Sequence, residues 1–157
     1  MKTIPQKAAR WARKICRDDQ HGYNNTTGFR TGSPDYACST LVAGAYRAAG
    51  VMIPANVYTA QMRKIFLKYG FKDITDRVNL RTGEGLKVGD IVLAPGKHTE
   101  IVCRRIPKLK LAGARGNPRS GHAENWKSGD QTGREISIRK YYDDGWTICL
   151  RYFGEEA

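Results

Sequence analysis

The apolar residues change their period once along this chain, near residue 70, and that change restricts the fold more than any other feature. Before it they recur at three- and four-residue spacing. After it they come in short runs, alternating or continuous, broken by turn residues. In the first part, Thr3 and Gln6 form a capping-box signature, Pro5 suits a first turn, and Ala8, Trp11, Ala12 and Ile15 share one face, with Arg10, Lys14 and Arg17 outside it. A second helix is expected over about 38–49, with Cys38, Leu41, Val42, Ala45 and Ala49 on one stripe and Gly50 as its stop. A third is expected over 57–69, with Asn56 as N-cap and Gly70 as stop. Strands are expected at 91–94, 99–103, 109–114, 135–139 and 146–152. Helices first and antiparallel strands later define an α+β fold.

At 157 residues, with no repeat and no Pro/Ser linker, the chain reads as one domain over 1–157, and 40% hydrophobic content is enough to build a core. Lys and Arg number 27 against 15 Asp and Glu, a net charge of +12, which predicts attraction to polyanions. No apolar run is long enough to span a bilayer. The first nineteen residues lack the apolar region of a secretory signal, so no transmembrane segment and no export signal are expected. The four cysteines are far apart and there are three histidines, so neither a disulfide scaffold nor a metal site is expected, and no cofactor.

Cys38 follows a Pro34-Asp35-Tyr36 turn and opens a helix, where unpaired backbone N–H groups and the helix dipole favour thiolate. Cys16, Cys103 and Cys149 fall on apolar stripes and read as core. A thiolate nucleophile needs a base, and His98, at the start of a strand, is the histidine in position to serve; His21 and His122 fall in loops and read as solvated.

These residues lie in stretches that resemble a known family. DYACSTLVAGAYRAAGV, beginning at Asp35, resembles the nucleophile helix of the NlpC-type papain-like cell-wall cysteine peptidases. GDIVLAPGKHTEIV, beginning at Gly89, resembles their histidine block. HGY around Gly22, TGEGLKVGD, GDQTGREISIRKYY and WTICLRY look like the bacteriophage peptidoglycan-hydrolase (endolysin) branch. The resemblance implies a papain-like fold with helices packed on an antiparallel sheet. It implies that the Cys38 thiolate attacks an amide of bacterial peptidoglycan, within the stem peptide or at its junction to the glycan, with His98 as base. It also implies that a tyrosine lines the site, matched by Tyr23 with Tyr36 as a second candidate, and that Asp35 belongs to the substrate-binding turn.

Two positions depart from the family pattern. Ala37 stands where an acidic residue usually precedes the nucleophile. Gly113 stands where the group that orients the histidine is normally carried, on the strand after it. Asp130 is the preferred replacement, with Glu124 and Glu100 as alternatives; Glu100 shares a strand face with His98 by two-residue alternation. Anionic wall polymers are a further expected partner of so basic a chain, and a monomer is expected. A phage enzyme of this kind would accumulate in the host cytoplasm and reach the wall through a membrane lesion. The rival class is a nucleic-acid-binding protein that stacks bases on Tyr141, Tyr142 and Trp146, although no recognition signature accompanies them. A family member that binds wall without cutting it is a third reading.

Overall fold

The computed structural model describes residues 2–18, 20–23, 30–32, 35–115 and 136–154. Three helices, α1 (Ile4–Cys16), α2 (Cys38–Ala48) and α3 (Thr59–Leu67), precede all the strands of a six-stranded antiparallel sheet. The strands are β1 (Phe71–Asp73), β2 (Ile91–Ala94), β3 (His98–Arg104), β4 (Lys110–Ala114), β5 (Ile136–Lys140) and β6 (Ile148–Tyr152), in the order β1-β6-β2-β3-β4-β5. The α+β class expected from the change of period is the one observed.

The Thr3–Gln6 capping box forms as expected: Thr3 N–H donates to Gln6 Oε1 at 2.9 Å, and Gln6 N–H to Thr3 Oγ1 at 3.3 Å. Ala8, Ala9 and Ala12 are small and fully buried, which lets α1 lie close against α2 and the sheet. At its N-terminus Pro5 packs on Gly89, whose φ of +94° and lack of a side chain are both required, since a Cβ there would lie 2.3 Å from the proline ring.

The helices and the inner face of the sheet enclose one core, built around Val42, Tyr46, Met62, Phe66, Ile91, Leu93, Ile101 and Leu150. A second cluster, with Val92, Val102, Leu111, Trp146 and Cys149, covers the other face beneath the segment between β1 and β2. The sheet is therefore buried on both sides near β2 and β3. This explains why those strands read as nearly continuous apolar runs rather than as clean alternation.

One strand was not expected and two expected boundaries need correction. Strand β1 is three residues long, too short to show a period, and pairs with β6 at the sheet edge. Helix α3 begins at Thr59 rather than 57, because Asn56 is not its cap: its Oδ1 accepts from the Arg30 guanidinium, and the Val57 carbonyl accepts from Arg30 and from the Ser39 hydroxyl. The last strand begins at Ile148 rather than 146; the Trp146 indole N–H donates to the Tyr142 carbonyl at 2.8 Å and turns the ring under the sheet.

Candidate active site

The site lies where the first turn of α2 meets the start of β3. Cys38 is the first residue of α2, so its N–H belongs to the helical turn that has no intrahelical acceptor. Ala37 at the N-cap has no side-chain oxygen, and the cap is supplied from the other end: Ala37 N–H donates to Thr40 Oγ1 at 2.9 Å, and the Thr40 hydroxyl donates to the Arg30 carbonyl. Asp35, fully buried, accepts the Gly22 N–H at 2.8 Å, and its carbonyl takes the Gly32 N–H. The turn before Cys38 is thus held by Asp35 and Thr40, without a polar side chain at position 37 to hold it.

His98 opens β3 and is mostly buried. Its Nε2 lies 2.6 Å from Glu100 Oε2, and the Cys38 side chain is near enough to influence the charge of the ring. Burial disfavours the charged imidazole, but the interactions with Cys38 and Glu100, reinforced by their negative charge, outweigh it and raise the His98 pKa to about 9. Trp146 stacks on the ring, with centroids 5.7 Å apart and planes 26° apart.

Glu100, two residues on and therefore on the same face of β3, is completely buried. Besides His98 it takes Arg115 Nη2 at 2.6 Å on Oε1 and the Tyr142 hydroxyl at 2.6 Å on Oε2. Arg115 is in turn tied to Ser137, by Nη1 to Oγ at 2.5 Å and to the carbonyl at 3.0 Å. A buried carboxylate with one cation and two further hydrogen-bond partners is held in one orientation.

Gly113 takes on its meaning here. The β3–β4 ladder pairs Ile101 with Ala112, so the next step sets Glu100 opposite Gly113. A Cβ on Gly113 would lie 2.5 Å from Glu100 Cδ and 2.6 Å from its Cγ and Oε2. Position 113 is vacant because the Glu100 carboxylate fills the volume its side chain would occupy.

Of the other expected site residues, Tyr23 lines a pocket of about 250 Å³ together with Cys38, Arg30, Tyr58 and Lys97. Burial and the nearby Cys38 raise the Tyr23 pKa. The Tyr36 ring is packed edge-on against Trp11 at 5.7 Å and tilted against His21 at 5.6 Å. His21, read as solvated, is partly buried there. Asp130, Glu124 and His122 lie outside the described residues. Cys103 and Cys149 are buried and Cys16 partly so, with thiol pKa values raised by burial, that of Cys16 to about 12. The aromatic residues of the nucleic-acid reading point inward: Tyr142 to Glu100, Tyr141 to the Leu80 carbonyl, Trp146 onto His98. Trp146 and Tyr142 were legible as aromatics but not as site residues, because their direction depends on the turn between β5 and β6.

Among the described residues no group of three or more His, Cys, Asp or Glu side chains is placed to hold a metal ion, and no helix is long and apolar enough to cross a membrane. No curated protein matches the chain. Residues 1–106, which carry Cys38, His98 and Glu100, match the endolysin-like domain.

Proposed function

The chain belongs to the endolysin-like domain family, whose description implies a phage lytic enzyme acting on peptidoglycan, and from this premise we propose that it is a cysteine-dependent amide hydrolase of the NlpC-type, papain-like kind. The observation that carries the reading is His98, hydrogen-bonded to a fully buried Glu100 and electrostatically coupled to Cys38 at a helix start.

Because Glu100 engages Nε2, the other ring nitrogen, Nδ1, is left for the thiol. With its proton already held by the imidazole, whose pKa is raised to about 9, the Cys38 sulfur attacks the carbonyl carbon of the substrate amide. The C=O pair moves to oxygen, and this oxyanion is met by the Cys38 N–H and the positive end of α2. Collapse breaks the C–N bond as His98 returns the proton to the leaving amine, giving a thioester and a free amine. Water then attacks the thioester, yielding its proton to His98; the carboxylic acid leaves and the thiolate is restored. Glu100 keeps its own proton count throughout and acts by orienting and stabilising the imidazolium, the part played by the third member of a triad. The pocket beside Cys38, with Tyr23, Tyr58 and Arg30 on its walls, is where the acyl part of the substrate would lie.

The test is turbidity loss of purified Gram-positive cell walls with the wild type and with Cys38→Ala, followed by mass spectrometry of released fragments. Clearing by the wild type alone is expected, and the new termini identify the bond as muramoyl–L-alanine or one within the stem peptide. Equal clearing by Cys38→Ala, or none by either protein, overturns the reading.

A further inference from the structure

Helix α1 is charged against its own stability. It contains no acidic residue and none in its first turn, where the dipole favours one, yet it carries Lys7, Arg10, Arg13 and Lys14, with Arg17 at its C-cap. Lys7, Arg10, Lys14 and Arg17 follow one another at spacings of three, four and three, so they share one face over about 15 Å, and each repels the next. Among the described residues none of these five cations has a carboxylate partner. Asp18, at the end of the same groove, pairs with His21, and the other ion-paired acids lie away from it: Asp73 on Arg63, Asp90 on Arg151, and Glu100 in the site.

The crowding reaches Arg13, whose guanidinium donates to the Cys103 carbonyl at 2.6 Å; burial and the neighbouring Arg104, Arg17 and Arg10 pull its pKa below the ordinary arginine value. The same side chains line an open groove of about 1140 Å³ flanked by Trp11 and Ala48. A row of uncompensated guanidinium and ammonium groups along a rigid helix suits an extended chain of phosphates, each taken by one or two N–H donors, better than a single small anion.

We propose that this face of α1 is a docking surface for a phosphodiester polymer of the bacterial wall, which holds the chain on its substrate while the separate Cys38 site acts. The partner assignment rests on the wall-lytic reading above; the surface itself rests on the charge pattern of α1.

The experiment measures sedimentation of the Cys38→Ala protein, which cannot digest the target, with Gram-positive sacculi before and after acid stripping of their phosphate polymers. Retention is expected to fall about tenfold or more on stripped walls, and steeply with salt, as counterion release requires. The variant Lys7→Glu, Arg10→Glu, Lys14→Glu, Arg17→Glu keeps Arg13 and its bond to Cys103 and uses a good helix former. It should lose about as much on intact walls and nothing further on stripped ones. A control with the same change in net charge, Lys68→Glu, Arg77→Glu, Arg81→Glu, Lys87→Glu, should bind intact walls within about twofold of the parent. The proposal is overturned by equal losses in the two charge variants, by wild-type binding of the α1 variant, or by indifference to stripping. It is equally overturned if duplex DNA or phosphatidylglycerol vesicles capture the α1 face more tightly than the wall polymer. Because binding is read on a protein that does not cut, failure here and failure of the hydrolase reading give separate results.

Discussion

Replacing Gly113 by alanine tests the account of the site through a change of sign. In an ordinary strand the substitution stabilises, by about 0.5–1 kcal/mol, because alanine has less freedom to lose and a side chain to pack. Gly113 has no left-handed backbone to excuse it, so sequence reasoning alone expects that gain. The structure expects the opposite. The new Cβ would stand 2.5–2.6 Å from three atoms of Glu100, and that side chain cannot swing aside without breaking its 2.6 Å contacts to His98, Arg115 and Tyr142. Overpacking of this kind costs about 1–3 kcal/mol. Removing Glu100 first should restore the normal sign, because the Cβ then enters the space the carboxylate has left. The double-mutant cycle of Gly113→Ala with Glu100→Ala should therefore show a coupling of about 2–4 kcal/mol, from the difference between the two costs. Urea unfolding followed by circular dichroism measures all four corners. Additivity within about 0.5 kcal/mol would mean that the two positions do not compete for one volume, and the explanation of Gly113 would fail. A functional extension follows: in the Glu100→Ala background, Gly113→Asn projects an amide from the neighbouring strand toward His98 and should recover part of the wall-clearing activity.

Glu100→Gln leaves the Arg115 charge buried beside a neutral amide and should lower kcat/KM by about 10²–10⁴-fold in wall clearing, with a lower His98 pKa by NMR titration; activity within threefold of wild type would refute its orienting role. The His98 pKa, raised to about 9, makes stability depend on pH in a defined sense. The protonated folded form is favoured, so a contribution of about 3 kcal/mol is fully present below about 6.5 and is lost as pH rises through about 9, and Glu100→Gln should flatten that slope in urea titrations. Arg30→Met removes the donor shared by Asn56, the Val57 carbonyl and Ser39 and should cost about 2–3 kcal/mol, with loss of activity through the turn that carries Cys38. Trp146→Ala exposes His98 to water and should reduce clearing while leaving the far-UV spectrum unchanged.

Much of this arrangement was legible in the sequence, because it depends on local rules. A cysteine at a helix start and a histidine at a strand start are set by turn residues and period, and both are where those signals put them. Glu100 was visible on the His98 face by alternation, yet Asp130 ranked above it, because nothing in one strand's sequence reports what stands opposite on the next. Gly113 read as a loss for the same reason: its vacancy makes sense only once the β3–β4 register is known. Asn56 had the composition of a cap, and a tertiary partner, Arg30, overrode the local preference. The direction of the Trp146 and Tyr142 rings depends on how β6 joins the sheet, a long-range contact with no local signature.

His98 and Glu100 sit on one strand, two residues apart, and this makes the site a two-piece assembly. Where the orienting group comes from a neighbouring strand, three segments must arrive in register before a thiol and an imidazole are correctly set. Here one three-residue span, His98 to Glu100, brings base and carboxylate as a unit, and the rest of the sheet need only leave room at position 113. The connection between β3 and β4 is thereby released from catalytic duty. It can lengthen, shorten or acquire new surface chemistry without disturbing the spacing of the pair, so variation there is open to whatever wall the chain meets.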